Sequence, residues 1–323
     1  MWMSGAAPGL PSPWKEGHRV PHAEGASSNF LRSRETDVCQ PSSFSFRIIL
    51  SIMQQDRVSG ASEIEQKIIE FISPYLGMEE LFEKCRELLS TYPSMGSLWN
   101  IANFAFLHEE GAQRHFNEMI EAGKQVVHQG VHAIKPHFTV LTYSRSATLS
   151  KILLACADKD ITVICSESRP GYEGRKLAGE LSEGGIEVVL TTDAELFSHV
   201  DEADMVMVGA DAILTQCIVN KTGTSVLALY AREKEREVYV VSSSYKAFPF
   251  VFLKEENGEE VWKEAPHRVT VVNRYFDVTP LSHITHFITE NGISDAPPSF
   301  HFPVAEEIQR IKKILSPSYM LVE

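Results

Sequence analysis

From His137 onward, short β-branched runs alternate with helical stretches, and that alternation limits the chain to very few architectures. The runs are Phe138–Tyr143, Ile161–Cys165, Ile186–Leu190, Met205–Val208 and Val238–Val241. Helical stretches lie between them near 146–157, 173–184, 194–200 and 222–235. Strands fed by helices at this spacing form right-handed βαβ units and a parallel sheet covered on both faces. Two further runs, Val269–Val272 and His283–Ile288, are expected to complete the sheet.

The preceding region has a different period. Ile64, Ile68, Ile69, Phe71 and Ile72 fall at helical spacing, and further helical stretches follow near 78–90, 96–109 and 111–129. Residues 1–52 show neither period. Pro8, Pro11, Pro13, Gly17, Gly25 and a serine-rich stretch at 41–46 interrupt any helix. The segment reads as a disordered extension, or as sequence upstream of a true start at Met53. The expected organisation is therefore 1–52 as extension, 53–133 as a helical N-terminal domain, and 134–323 as a Rossmann-like, doubly wound α/β domain.

The net charge of −13 argues against non-specific binding to nucleic acid or to an anionic membrane, and leaves room for a local basic pocket. No apolar run approaches the roughly 20 residues that span a bilayer. The five cysteines, Cys39, Cys85, Cys156, Cys165 and Cys217, include no CxxC spacing, so no zinc or redox motif is present. An odd count argues for a reducing compartment, and a cytoplasmic location is expected. No cofactor and no metal are called for.

Ligands of doubly wound sheets bind outside the carboxyl ends of the strands, and this rule selects candidates without any motif. After the first run, Ser144-Arg145-Ser146-Ala147-Thr148 opens a helix. Its free amides and dipole make it either an anion site or a simple helix cap. After the second, Arg169 either forks onto a phosphate or braces the loop against Glu167 or Asp193. After the fourth stands Asp211, a carboxylate at the end of an apolar strand, where burial favours a raised pKa. Beyond it, Asn220-Lys221-Thr222-Gly223-Thr224 opens another helix. Lys221, the backbone near Gly223 and the Thr224 hydroxyl together read as a convincing phosphate cradle, although the Walker order is missing. Lys246 follows the fifth run. Cations gathered at one sheet edge of an acidic chain point to an anionic ligand.

These residues resemble the initiation-factor-two-B family. The resemblance is carried by Ser168-Arg169-Pro170, Gly209-Ala210-Asp211, Asn220-Lys221-Thr222-Gly223-Thr224, Tyr245-Lys246, Phe276-Asp277-Val278-Thr279-Pro280 and Thr289-Glu290-Asn291-Gly292-Ile293. The family holds regulatory subunits of eukaryotic initiation factor two-B and two sugar-phosphate isomerases, acting on methylthioribose-1-phosphate and ribose-1,5-bisphosphate. It implies a dimer or an assembly with related subunits, and a phosphorylated ligand near Gly60, Ala61, Ser146, Ala147, Thr148, Arg169, Asp211, Asn220, Lys221 and Lys246. The isomerases pair an aspartate, matched by Asp211, with a cysteine after the first strand. Ser144 stands in that place, and Tyr143-Ser144-Arg145 is similar to the regulatory alpha subunit. Two phosphate-binding arginines of the isomerases are likewise replaced, by Ser59 and Tyr92. The resemblance thus implies a binding protein without turnover, with an aldose–ketose isomerase using Asp211 as the alternative.

Overall fold

The computed structural model describes residues 61–323, with the side chains of Ala61 and Ser62 excepted. The expectations for residues 1–52 and for Gly60 lie outside the described residues. The first four helices are α1 (Ala61–Ile72), α2 (Leu81–Thr91), α3 (Gly96–His108) and α4 (Ala112–Ala133). They match the predicted helical stretches closely. Helix α3 is buried from Gly96 to Ala105 on every face. A helix buried on every face belongs inside a core, and α3, mostly apolar with Asn100 and Asn103 hydrogen-bonded within it, supplies the centre of one. Its Trp99 packs against Phe248, Phe250 and Phe252, with ring centroids 5.0–5.9 Å apart.

The sheet begins with β1 (Thr139–Thr142), followed by α5 (Ala147–Leu154), β2 (Thr162–Ser166), α6 (Glu173–Glu183), β3 (Glu187–Thr191) and β4 (Met205–Gly209). A small antiparallel excursion comes next, with β5 (Ala212–Ile213) and β6 (Cys217–Lys221). Then follow α7 (Thr224–Glu233), β7 (Val238–Val241), β8 (Val251–Leu253), β9 (Phe276–Pro280), β10 (His286–Thr289), β11 (Gly292–Ser294), α8 (Glu306–Leu315) and β12 (Met320–Val322).

The main sheet has the order β11-β10-β7-β4-β1-β2-β3. Only β11 runs antiparallel in it. The order reverses direction between β1 and β4, the switch point at which such sheets open a crevice. Alternation along β4 sorts the two faces: Val206 and Val208 join one core, and Met205 and Met207 the other. Both faces of the central strands are covered, as parallel sheets require, while the edge strand β3 leaves Val189 and Leu190 exposed.

Two sequence expectations need correction. Val269–Val272 forms no strand; Val269 and Val272 are 45% and 57% exposed, and a run with no apolar face to bury has no reason to pair. The stretch at 194–200 is a 3-10 helix over Glu195–Glu202, not an α-helix. The small sheets β5-β6-β9 and β8-β12 lie outside the strand–helix alternation and are not among the expected elements. The four described cysteines are all free and buried, as small hydrophobes should be.

Candidate functional site

The carboxyl ends of β1 and β4 flank the switch point, and Asp211, Asn220, Lys221, Lys246 and the start of α5 converge there. Asp211, half-buried just after β4, feels Lys246, Glu65, Lys221 and Glu173. Burial is the largest influence and outweighs the lysines, so its carboxyl is pushed up to about 6. Glu65, on α1, is likewise raised by burial, against the pull of Lys246 and Ser97. Lys246 sits in the 3-10 turn Ser244–Lys246 after β7, buried, and its Nζ donates to the Ala210 carbonyl at 2.7 Å. The position of that turn is set from α3. Asn100 Nδ2 donates to the carbonyls of Tyr245 and Ala247 at 2.7 and 2.9 Å.

Lys221, the last residue of β6, forms an ion pair with Glu173 at 2.5 Å. The Ser144 hydroxyl lies 3.4 Å from the same Glu173 oxygen. Ser144 itself has a φ of 65°, a conformation disfavoured for a residue with a Cβ and enriched at functional sites. Ser146 caps α5, accepting from the Leu149 amide at 3.4 Å, while Ala147 and Thr148 form the first turn. Ser146 and Asn220 both approach Gly209, so both lie over the end of β4. A cleft of about 350 Å³ opens beside Lys246, lined by Thr148, Ser243, Glu65, Ile69 and Lys124, among others. That volume suits a small metabolite.

The apparent cradle at α7 is internally occupied. Asp277 Oδ2 accepts from the amides of Gly223 and Ser225 at 2.7 and 3.2 Å. The Thr224 hydroxyl donates to the Lys221 carbonyl and accepts from Asn220 Nδ2. Asp277 therefore serves as the cap that a helix N-terminus needs.

Arg169 stands apart from the group. It is exposed, its guanidinium is bonded to the Tyr172 hydroxyl, and Asp193 holds its main-chain amide. The bracing alternative therefore describes its backbone, and Arg175 rather than Arg169 pairs with Glu167. Arg145 also points away, toward Glu180 at 2.9 Å and Glu63 at 3.4 Å. Ala61 opens α1. Sequence reasoning missed Glu173, Glu65 and Asp277. For Glu173 the signal existed: it is the first helical residue after β2, on the edge that the strand-end rule selects.

The sequence profile of the Initiation factor 2 subunit family matches residues 37–296. The chain belongs to this family. A Pyrococcus horikoshii protein described as eIF-2B subunit 2-like is 32% identical over 264 residues, covering 76% of this chain and 94% of that one. The ribose 1,5-bisphosphate isomerase of Methanocaldococcus jannaschii is also 32% identical, over 267 residues that cover 73% and 87% of the two chains. Among solved structures, the Pyrococcus horikoshii translation initiation factor eIF-2B superposes with a TM-score of 0.69 at 31% identity, over 78% of this chain and 97% of that one. The family thus unites initiation-factor-like and isomerase relatives around one fold. Among the described residues, no helix is long and apolar enough to cross a membrane.

Proposed function

We propose that this family member is a regulatory, eIF-2B-type protein that binds a sugar phosphate or nucleotide at the carboxyl edge of β1 and β4 without turning it over. The observation that carries the reading is Ser144. The position after β1 presents a hydroxyl toward Glu173, and the four described cysteines are buried in the cores. A serine hydroxyl is a far weaker acid than a thiol of pKa about 8.5, so the thiol step of the related isomerases has no counterpart here. Lys221, Lys246 and the first turn of α5 supply the anion contacts, and Asp211 meets ligand hydroxyls. Its biological partners are a second copy of the chain or related subunits, with no direct contact to nucleic acid.

One observation favours turnover instead. Asp211, pushed up to about 6, exchanges a proton near neutrality, as an aldose–ketose isomerisation demands. The two readings separate in one set of experiments. Native mass spectrometry of the purified protein reads the oligomer and any co-purified ligand. Calorimetric titration with ribose phosphates and nucleoside monophosphates should give saturable binding, weakened about tenfold or more in Lys221→Ala. Turnover of ribose 1,5-bisphosphate or methylthioribose 1-phosphate that disappears in Asp211→Asn would establish the isomerase reading.

A further inference from the structure

The site is built to attract an anion, yet the chain's own carboxylates already stand on its positive groups. Glu173 Oε1 lies 2.5 Å from Lys221 Nζ, and the two side chains are only 15% and 8% exposed. Asp277 occupies the amides at the start of α7. The two carboxylates differ in freedom. Asp277 belongs to β9, paired along its length with β6, and holds two fixed amides. Glu173 is the first residue of α6, and its carboxylate rides on a three-torsion side chain. The helix beneath it is pinned. A Cβ on Gly174 would meet the Ser166 carbonyl oxygen at 1.8 Å and Ser168 Oγ at 2.9 Å, so α6 starts hard against the end of β2. Glu173 can leave Lys221 by changing rotamer, without moving its helix.

We propose that Glu173 is a built-in competitor that occupies the anion position on Lys221 and is displaced by the phosphoryl group of the ligand. The inference rests on the ligand-binding reading above and adds how that site is regulated. Around Asp211 the chain gathers two ammonium groups, Lys221 and Lys246, and two further carboxyls, Glu65 and Glu173. With Glu173 inward, this cluster offers no surplus positive charge. With Glu173 outward, Lys221 loses its direct ion-pair partner while staying shielded from solvent, where an incoming charge interacts most strongly. A phosphomonoester dianion brings more charge than the carboxylate it replaces; a carboxylate ligand brings no more. Glu173 therefore sets a threshold that selects phosphomonoesters over carboxylic acids and keeps the site closed to weak anions.

The test is calorimetric titration of the parent, Glu173→Gln and Glu173→Gln/Lys221→Met with ribose 5-phosphate and with inorganic phosphate. The neutral amide should tighten both ligands by about tenfold or more, and the double variant should lose the gain. Binding to the parent with equal or weaker binding to Glu173→Gln overturns the competitor and leaves the ligand site standing. Binding to neither overturns the ligand site and the competitor with it. A thermal melt guards against a folding artefact: phosphate should raise the Tm of Glu173→Gln, and of the shorter Glu173→Ser, more than that of the parent. An equal rise in all three overturns the proposal.

Discussion

The main-chain amide of Gly96 donates to the carbonyl of Asp211 at 2.9 Å, joining the first turn of α3 to the end of β4. The same glycine lies so close to the turn after β7 that a Cβ would stand 2.2 Å from the Lys246 carbonyl oxygen. Two candidate ligand residues are thus held by one position outside the sheet. Gly96→Ala must push backbone against backbone. It should lower stability by about 1–3 kcal/mol in urea unfolding. It should also weaken phosphate binding, because Lys246 moves with its carbonyl. Unchanged stability and affinity would show that the turn yields freely.

Asp211 predicts a pH dependence. Its carboxyl is held up to about 6 in the fold, against about 4 in an unfolded chain. Between those values the folded state binds more protons, so this group's contribution to stability falls as pH rises through the window. Glu65, raised in the same direction and facing the same Lys246, adds to the effect. Asp211→Asn should be more stable than the parent at pH 8, by up to about 3 kcal/mol, with the difference closing toward pH 4. Differential scanning calorimetry across that range is the check; a constant difference would exclude titration of Asp211 as the cause.

Much of this was legible in the sequence, and the limits have physical causes. The runs at 138–143, 161–165, 186–190, 205–208 and 238–241 all became strands of the parallel sheet; the central ones are buried, and buried parallel strands read as unbroken β-branched segments, while the edge strand β3 carries its run with Val189 and Leu190 exposed. The same logic misread Val269–Val272, whose apolar residues stay in an exposed loop. At the site, the strand-end rule brought out Asp211, Asn220, Lys221 and Lys246, which the structure gathers. It could not foresee that Lys221 would meet Glu173, because the two lie in helices and strands separated by a whole βαβ unit. Nor could it tell that Asp277, from β9, would take the amides at Gly223. Local sequence reveals a helix start; only the tertiary fold reveals what fills it.

The ion pair between Lys221 and Glu173 predicts a stability effect separate from binding. Removing one partner of a buried pair leaves the other charge unmatched. Lys221→Met should cost about 2 kcal/mol in chemical denaturation, and adding Glu173→Gln to it should restore part of the loss. Additive effects of the two substitutions would show that the pair does not couple energetically.

Ser144→Cys tests whether a thiol alone revives turnover. A sulfur placed there would face the Glu173 carboxylate, since the present hydroxyl lies 3.4 Å from it. A neighbouring negative charge raises a thiol's pKa and removes the reactive thiolate. No isomerisation of ribose 1,5-bisphosphate is expected from this variant in a chromatographic product assay. Measurable product formation would refute this argument.

The amide of Asn100 clasps the main chain on both sides of Lys246, and this has a bearing on how such a protein could be dissected. The lysine is aimed by a helix that is no part of the Rossmann sheet. A fragment beginning at β1 would keep the strands and lose the clasp, so its folded sheet would carry Lys246 on a slack tether. On the binding reading proposed above, ligand recognition would therefore not be portable with the sheet. It is a joint possession of both halves, and any force that shifts α3 registers at the ligand's edge.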